Sequence, residues 1–153
     1  MHTDCIDGAL YAVILVVFCR KTKRFLFLTE LTSKPRVFKK KGMLALPSET
    51  KEESDSSVKA TVYRLIREEI GVSINDDITL LLKPLVHFKH RIPVYVAWVA
   101  VDEEFEAVPA DIDVEQGHWL SKREVASYGA FADFFRIETD DVLELFKNES
   151  ALS

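Results

Sequence analysis

The chain has 153 residues, 48% of them apolar and 29% charged, the balance of a soluble globular protein long enough to bury one substantial core. Its net charge of −5 argues against general binding to nucleic acid or to an anionic membrane, and leaves room only for a local basic patch. Residues 1–153 read as a single domain without repeats, linkers or low-complexity tracts.

Ala9–Cys19 (ALYAVILVVFC) is the one long apolar run. It is too short to span a bilayer as a helix. Asp4 and Asp7 precede it where a signal peptide would carry positive charge. Its Val, Ile and Tyr content predicts a strand covered on both faces. Arg24–Glu30 is a second β-prone run, and the polar turn Arg20–Lys23 between them predicts a hairpin. Cys5 and Cys19 lack metal or redox spacing and read as reduced thiols of a cytoplasmic protein, Cys19 as buried filler. The basic segment Lys34–Lys41 (KPRVFKKK) comes next, then Met43–Leu46 and Pro47, then a polar, acidic loop over Ser48–Ser57 rich in helix caps.

A helix is predicted from about Ser57 to Ile70, with Gly71 placed for a left-handed C-terminal cap. Ile78–Phe88, Ile92–Val101 and Val114–Leu120 read as strands, the second of them apolar on both faces. Helical patterns around Lys122–Tyr128 and Asp140–Lys147 close the chain, with Thr139 as the expected N-cap of the last. This order of elements predicts one mixed sheet between helices, an α/β or α+β sandwich.

The predicted helix ends on YRLIREEIGV, Tyr63–Val72, with two adjacent glutamates in its last turn. Negative charge is unfavourable there, because a helix C-terminus already carries a partial negative charge. At helical spacing Val58, Val62, Leu65 and Ile66 form one apolar stripe; Glu69 projects close to its middle, and Glu68 lies on its edge beside Arg64. An acid on a buried stripe is costly unless it is paired or holds a metal. Two inward-pointing carboxylates supply the hard oxygen ligands that suit Mg²⁺ or Mn²⁺. The competing reading is a helix frayed at Gly71, with both glutamates in water; position alone separates neither.

YRLIREEIGV resembles the second half of the Nudix box, Arg-Glu-U-x-Glu-Glu-x-Gly-U with U aliphatic, and matches it at Arg64, Ile66, Glu68, Glu69, Gly71 and Val72. Leu44–Pro47 (LALP) resembles the strand that leads into the box, and Glu115–Val125 (EQGHWLSKREV) resembles the family's late strand and following helix. The resemblance covers roughly Ala9 to Val125 and implies the Nudix α/β/α sandwich. It implies divalent-metal-dependent cleavage of a nucleoside diphosphate linked to another moiety, with Glu68 and Glu69 holding Mg²⁺ or Mn²⁺ and Glu69 and Arg64 in catalytic roles. Arg64 takes the position of the box arginine, which orients a neighbouring glutamate; the other reading of Arg64 is an exposed pair with Glu68.

Three departures stand against this match. Leu65 occupies the place of the first box glutamate. Ser48 and Glu49 stand where two glycines usually turn the backbone. The upstream box glutamate falls on Ser56 counting back from Arg64 and on Asp55 counting forward from LALP. Replacement carboxylates are available at Glu49, Glu52, Glu53 and Asp55, at Asp102, Glu103 and Glu104, and at Glu115. Lys39, Lys40 and Lys41 are the candidate substrate-binding residues for phosphates, against the alternative of a solvated basic loop. His87, His90 and His118 show no ligand spacing, and Trp98 and Trp119 read as core. The expected partner is a nucleotide or other diphosphate-containing small molecule; an RNA end, an oligomer and a catalytically impaired regulatory module are the further readings.

Overall fold

The structure, a computed structural model, describes residues 10–33, 40–71, 81–85, 92–110, 114–128, 134–136 and 138–145. Strand β1 (Ala12–Cys19) is buried along almost its whole length and turns through residues 20–23 into β2 (Arg24–Glu30). Phe18 pairs with Phe25 and Cys19 with Arg24, as the polar turn between two apolar runs predicts. Lys23 takes a positive φ of 60° to close that turn.

Beyond the hairpin β1 and β2 separate, and the segment after the basic stretch fills the fork between them. Its first part, β3 (Leu44–Ala45), pairs with β2; its second, β4 (Ser48–Thr50), pairs antiparallel with β1 at Ala12, Val13 and Ile14. Pro47, between the two, accepts a hydrogen bond on its carbonyl from Leu15 N–H. The expectation of a loop from Ser48 onward is therefore corrected. The first three of those residues are a strand, because the edge that β1 exposes beyond the hairpin needs partners for its backbone groups.

β6 (Val94–Val101) runs parallel to β1 in an unbroken register from Ala12↔Val94 to Cys19↔Val101, and β5 (Leu81–Leu85) pairs antiparallel on its far side. The strand expected over Ile78–Phe88 is described only at Leu81–Leu85; its flanks, His87 and His90 lie outside the described residues. β7 (Val114–Ser121) covers the other edge of β2. The result is a seven-stranded mixed sheet.

Alternation along β1 divides the core in two. Val13, Leu15 and Val17 face Val58, Val62, Leu65 and Ile70 of the first helix. Ile14, Val16 and Phe18 face Val125 of α2 (Lys122–Tyr128) and Val142 and Leu143 of α3 (Thr139–Leu145). Apolar residues on both sides of the strand are what a sheet between two helical layers requires, and the α/β/α sandwich is the architecture observed. Trp98 and Cys19 are core, as expected, and Trp119 packs edge-on to Phe105. Thr139 is the first residue of α3 and not its N-cap, so the helix starts one residue before the expected Asp140; the Thr139 hydroxyl donates to Arg136 O. Among the described residues no helix is long and apolar enough to cross a membrane.

Candidate functional site

The first helix begins where the sequence places it. Ser57 is an extended N-cap whose hydroxyl accepts from Ala60 N–H. It is α-helical as α1 over Val58–Leu65, then widens into a π-helical turn over Ile66–Ile70 before Gly71 ends it in the left-handed region at φ 74°. Gly71 N–H reaches back to Ile66 O. Two further carbonyls at this end find donors in the strap that follows β6: Val108 N–H bonds Ile70 O and Ala110 N–H bonds Glu68 O. The strap lies so close that a Cβ on Gly71 would stand 1.7 Å from Val108 O, so glycine is required for space as well as for φ.

This ending eases the placing of Glu68 and Glu69 at a helix C-terminus: the carbonyls of Glu68 and Ile70 are hydrogen-bonded by the strap, and the helix is ordered up to Gly71 and not frayed there. Glu69 is 5% exposed and its Oε1 accepts from Ser48 N–H at 3.2 Å. Glu68 is half-exposed and its Oε1 lies 3.3 Å from Arg64 Nη1. Leu65 is fully buried in the core cluster beneath them.

Arg64 is the centre of the arrangement. It is 5% exposed, which excludes the reading as a surface pair. Its Nε and Nη2 hold the two oxygens of Asp55 at 3.2 and 2.9 Å, and Nη2 also donates to Thr50 O at 2.8 Å. Nη1 donates to Glu49 at 2.7 Å and to Glu68, and lies 3.2 Å from Glu52. Of the two candidates for the upstream box acid, Asp55 and not Ser56 is the one that meets Arg64. Glu49 reaches Arg64 from extended backbone on β4; among the described residues only Lys23, Gly42 and Gly71 have positive φ, so no left-handed turn is needed at Ser48–Glu49.

Electrostatics follow from the burial. Desolvation raises the Asp55 carboxyl, but hydrogen bonds from Arg64, Glu52 N–H and Thr61, with the Arg64 charge, outweigh it and hold it down at about 2. Burial lowers Arg64, while the bond to Asp55 and the charges of Glu49, Asp55 and Glu52 raise it above its ordinary value. One guanidinium faces four carboxylates.

The other candidates are sorted by place. Asp102, Glu103 and Glu104 follow β6 at the Cys19 end of the sheet and pair with Arg20, Lys21 and Arg24. The Arg64 cluster meets β1 at Ala12 and Val13, roughly 23 Å away along the strand. These three acids are therefore not part of the site. Glu53 and Glu115 are exposed, Glu115 on β7 opposite Thr29. His118 contacts Thr29 through its Nε2. Lys39 lies outside the described residues; Lys40 and Lys41 are exposed on the turn before β3, where Gly42 N–H bonds Glu30 O. Since β2 runs away from the hairpin, this turn is at the same end of the sheet as Arg64. Thr61 and Tyr11, which join the network behind Asp55, were not singled out from the sequence. A threonine among the buried positions of α1 was a legible signal; nothing marked Tyr11.

The carboxylate oxygens fit a divalent cation in kind. In number they fall short of a self-sufficient site: among the described residues no group of three His, Cys, Asp or Glu side chains is placed to hold a metal. Mg²⁺ is often held by one or two carboxylates, with phosphates and waters completing its shell, so the donor set fits an ion shared with a diphosphate.

No protein-family profile matches the sequence, and no curated protein does. Solved structures do match. The NUDIX domain of Shewanella oneidensis NrtR, complexed with ADP ribose, superposes at TM-score 0.65 with 16% identity over 97% of this chain and 91% of that one. A C. elegans Ap4A hydrolase superposes at 0.65 with 14% identity over 93% and 99%. A bifunctional NMN adenylyltransferase/ADP ribose pyrophosphatase from Francisella tularensis, complexed with AMP and Mn ion, superposes at 0.62 with 14% identity over 95% of this chain and 43% of its own. Sheet, layers and box helix together give this chain the fold of the Nudix hydrolases.

Proposed function

We propose that the protein is a divalent-metal-dependent hydrolase of a nucleoside diphosphate linked to another moiety, working below the rate of an intact box. The observation that carries this reading is the Arg64 cluster: a buried guanidinium that fixes Glu68 from one side, beside a Glu69 fixed by Ser48 N–H. Glu68 and Glu69 would hold Mg²⁺ or Mn²⁺ together with the substrate's phosphates. A bound ion would supply Lewis acidity at the diphosphate. Arg64 orients Glu68 by a charge-assisted bond; Lys40 and Lys41, on the turn at the same end of the sheet, and Lys39, adjacent to them in sequence, would contact phosphate. Ligands named for similar folds, ADP ribose and AMP with Mn ion, support a nucleotide substrate. A cytoplasmic location is part of this reading, in keeping with Cys19 as a buried cysteine.

Phosphate or nucleotide release from a panel of nucleotide pyrophosphates, with and without Mg²⁺ or Mn²⁺, tests this reading. Metal-dependent turnover that Glu69→Gln abolishes supports it, and no turnover with any of them overturns it. The second reading, a nucleotide-binding module without efficient catalysis, is favoured by Leu65, buried where a third carboxylate would complete the set. Tight nucleotide binding without turnover would select it. Replacing the three lysines with Gln should weaken nucleotide binding and flatten its salt dependence in either case; unchanged affinity would return the turn to a solvated role.

A further inference from the structure

Behind the carboxylates a second polar layer runs into the core. Asp55 Oδ2, which holds Arg64 Nη2, also accepts from Thr61 Oγ1 at 2.9 Å. Thr61 Oγ1 in turn lies 2.7 Å from Tyr11 Oη. Tyr11, Thr61, Asp55 and Arg64 are all at least nine-tenths buried, and they come from four places: the residue before β1, the first turn of α1, the loop before α1 and the last α-helical turn. A threonine hydroxyl has one proton. At 2.9 Å it is directed to the Asp55 carboxylate, with Ser57 O a longer alternative at 3.3 Å. Tyr11 must then be the donor to Thr61. The hydrogens therefore point one way along the chain, from Tyr11 to Thr61 to Asp55, each bond polarising the next toward the negative charge.

We infer that Tyr11 and Thr61 are positioning residues of the site, acting through Asp55 to fix the Arg64 guanidinium and so the direction in which Glu49 and Glu68 are presented. Asp55 sits on a loop, and Arg64 binds both of its oxygens; a carboxylate free to rotate would carry the guanidinium with it. Thr61 Oγ1 and Glu52 N–H, each at 2.9 Å, converge on Oδ2 together with Arg64 Nη2 and so hold the carboxylate against rotation. Tyr11 keeps Thr61 in the rotamer that donates, and its own ring is held edge-on to Tyr95 of β6. The relay ties sheet, helix and loop into one rigid support for groups that must meet a ligand within a fraction of an ångström.

The catalytic part of this inference rests on the proposed hydrolase, so the experiment carries a readout that does not. In ¹⁵N-labelled full-length protein, the Arg64 Nε–H resonance should be observed and slow to exchange with solvent, since the group is buried and bonded to Asp55. Tyr11→Phe and Thr61→Val should each speed its exchange at least about tenfold, while Thr61→Ser, which restores the hydroxyl, should return it to the wild-type rate. In metal-dependent turnover the same two variants should lower kcat several-fold with KM little changed, and Thr61→Ser should recover it. Should Thr61→Val not fold, Tyr11→Phe and Thr61→Ser decide alone. Exchange in Tyr11→Phe equal to wild type overturns the inference, as does a Thr61→Ser variant no better protected than Thr61→Val. If the wild type turns nothing over, the hydrolase reading falls, and the Arg64 signal still decides whether the relay positions the guanidinium.

Discussion

At the Cys19 end of β1, Arg20, Lys21 and Arg24 each face one carboxylate, in contact with solvent; at the Ala12 end Arg64 faces four, almost out of reach of it. Both groups contain bonds near 2.9 Å, so distance does not separate them. Surroundings do. Asp102 is 84% exposed, and water screens its bond to Arg20 nearly as well as it would solvate the two apart. Asp55 and Arg64 have no such alternative: without Arg64 the Asp55 carboxylate would be left as an uncompensated buried charge, whereas Arg64 without Asp55 would keep Glu49, Glu52 and Glu68. The outer ladder closes a hairpin against the loop after β6. The inner cluster fixes where carboxylates point, as the proposed site requires.

The largest expected effect removes the inner cation. Arg64→Met should cost about 3–5 kcal/mol in urea denaturation at neutral pH, because Asp55 stays buried without its partner. Arg64→Lys should recover only part, since an ammonium cannot make the two-pronged contact with both Asp55 oxygens. A loss below about 1 kcal/mol for Arg64→Met would place the inner cluster with the outer one.

Next in size is Leu65→Glu, which trades a fully buried apolar side chain for an acid beside Glu68 and Glu69. It should destabilise the metal-free protein by roughly 2–4 kcal/mol. Mn²⁺ with a nucleotide diphosphate should return much of that loss as a raised Tm, and turnover should rise above wild type. Equal destabilisation with and without metal would mean that position 65 does not face the ion.

Acid then probes Asp55 by itself. Its carboxyl titrates at about 2 in the folded protein and near 3.9 when unfolded. The stabilisation is thus fully present above about pH 4 and is lost as pH falls toward 2, by about 2 kcal/mol. Asp55→Asn should start less stable at neutral pH and lose less across that window. Parallel stability curves for the two proteins would remove Asp55 from the cluster's charge balance.

The smallest effect belongs to the outer ladder. Arg20→Gln should change stability by no more than ~0.5 kcal/mol, and 0.5 M salt should erase even that. A cost above 1 kcal/mol would mean that the ladder acts as a network.

What the sequence determined by itself was periodicity and its interruptions. Alternating and 3.6-residue patterns reflect which side of an element meets the core, so the hairpin, the long strand β6, the helix ending at Gly71 and the helical layers were legible without coordinates. The end of the box helix was legible too, since Gly71 is demanded by a backbone angle that local chemistry selects. Only the tertiary structure decided the rest. Whether Asp55 or Ser56 meets Arg64 depends on how a loop closes over a helix, and counting along the chain gave two answers one residue apart. Ser48–Thr50 became a strand because a fork between β1 and β2 needed filling, a demand no residue in that stretch announces. Asp102, Glu103 and Glu104 looked as available as Glu49 until the parallel register of β6 put them at the wrong end of the sheet. Tyr11 joined the site from fifty residues before Thr61, through a hydrogen bond whose existence depends on where β1 and α1 cross. Patterns record solvent against core; the direction of a buried charge is set by which distant elements close around it.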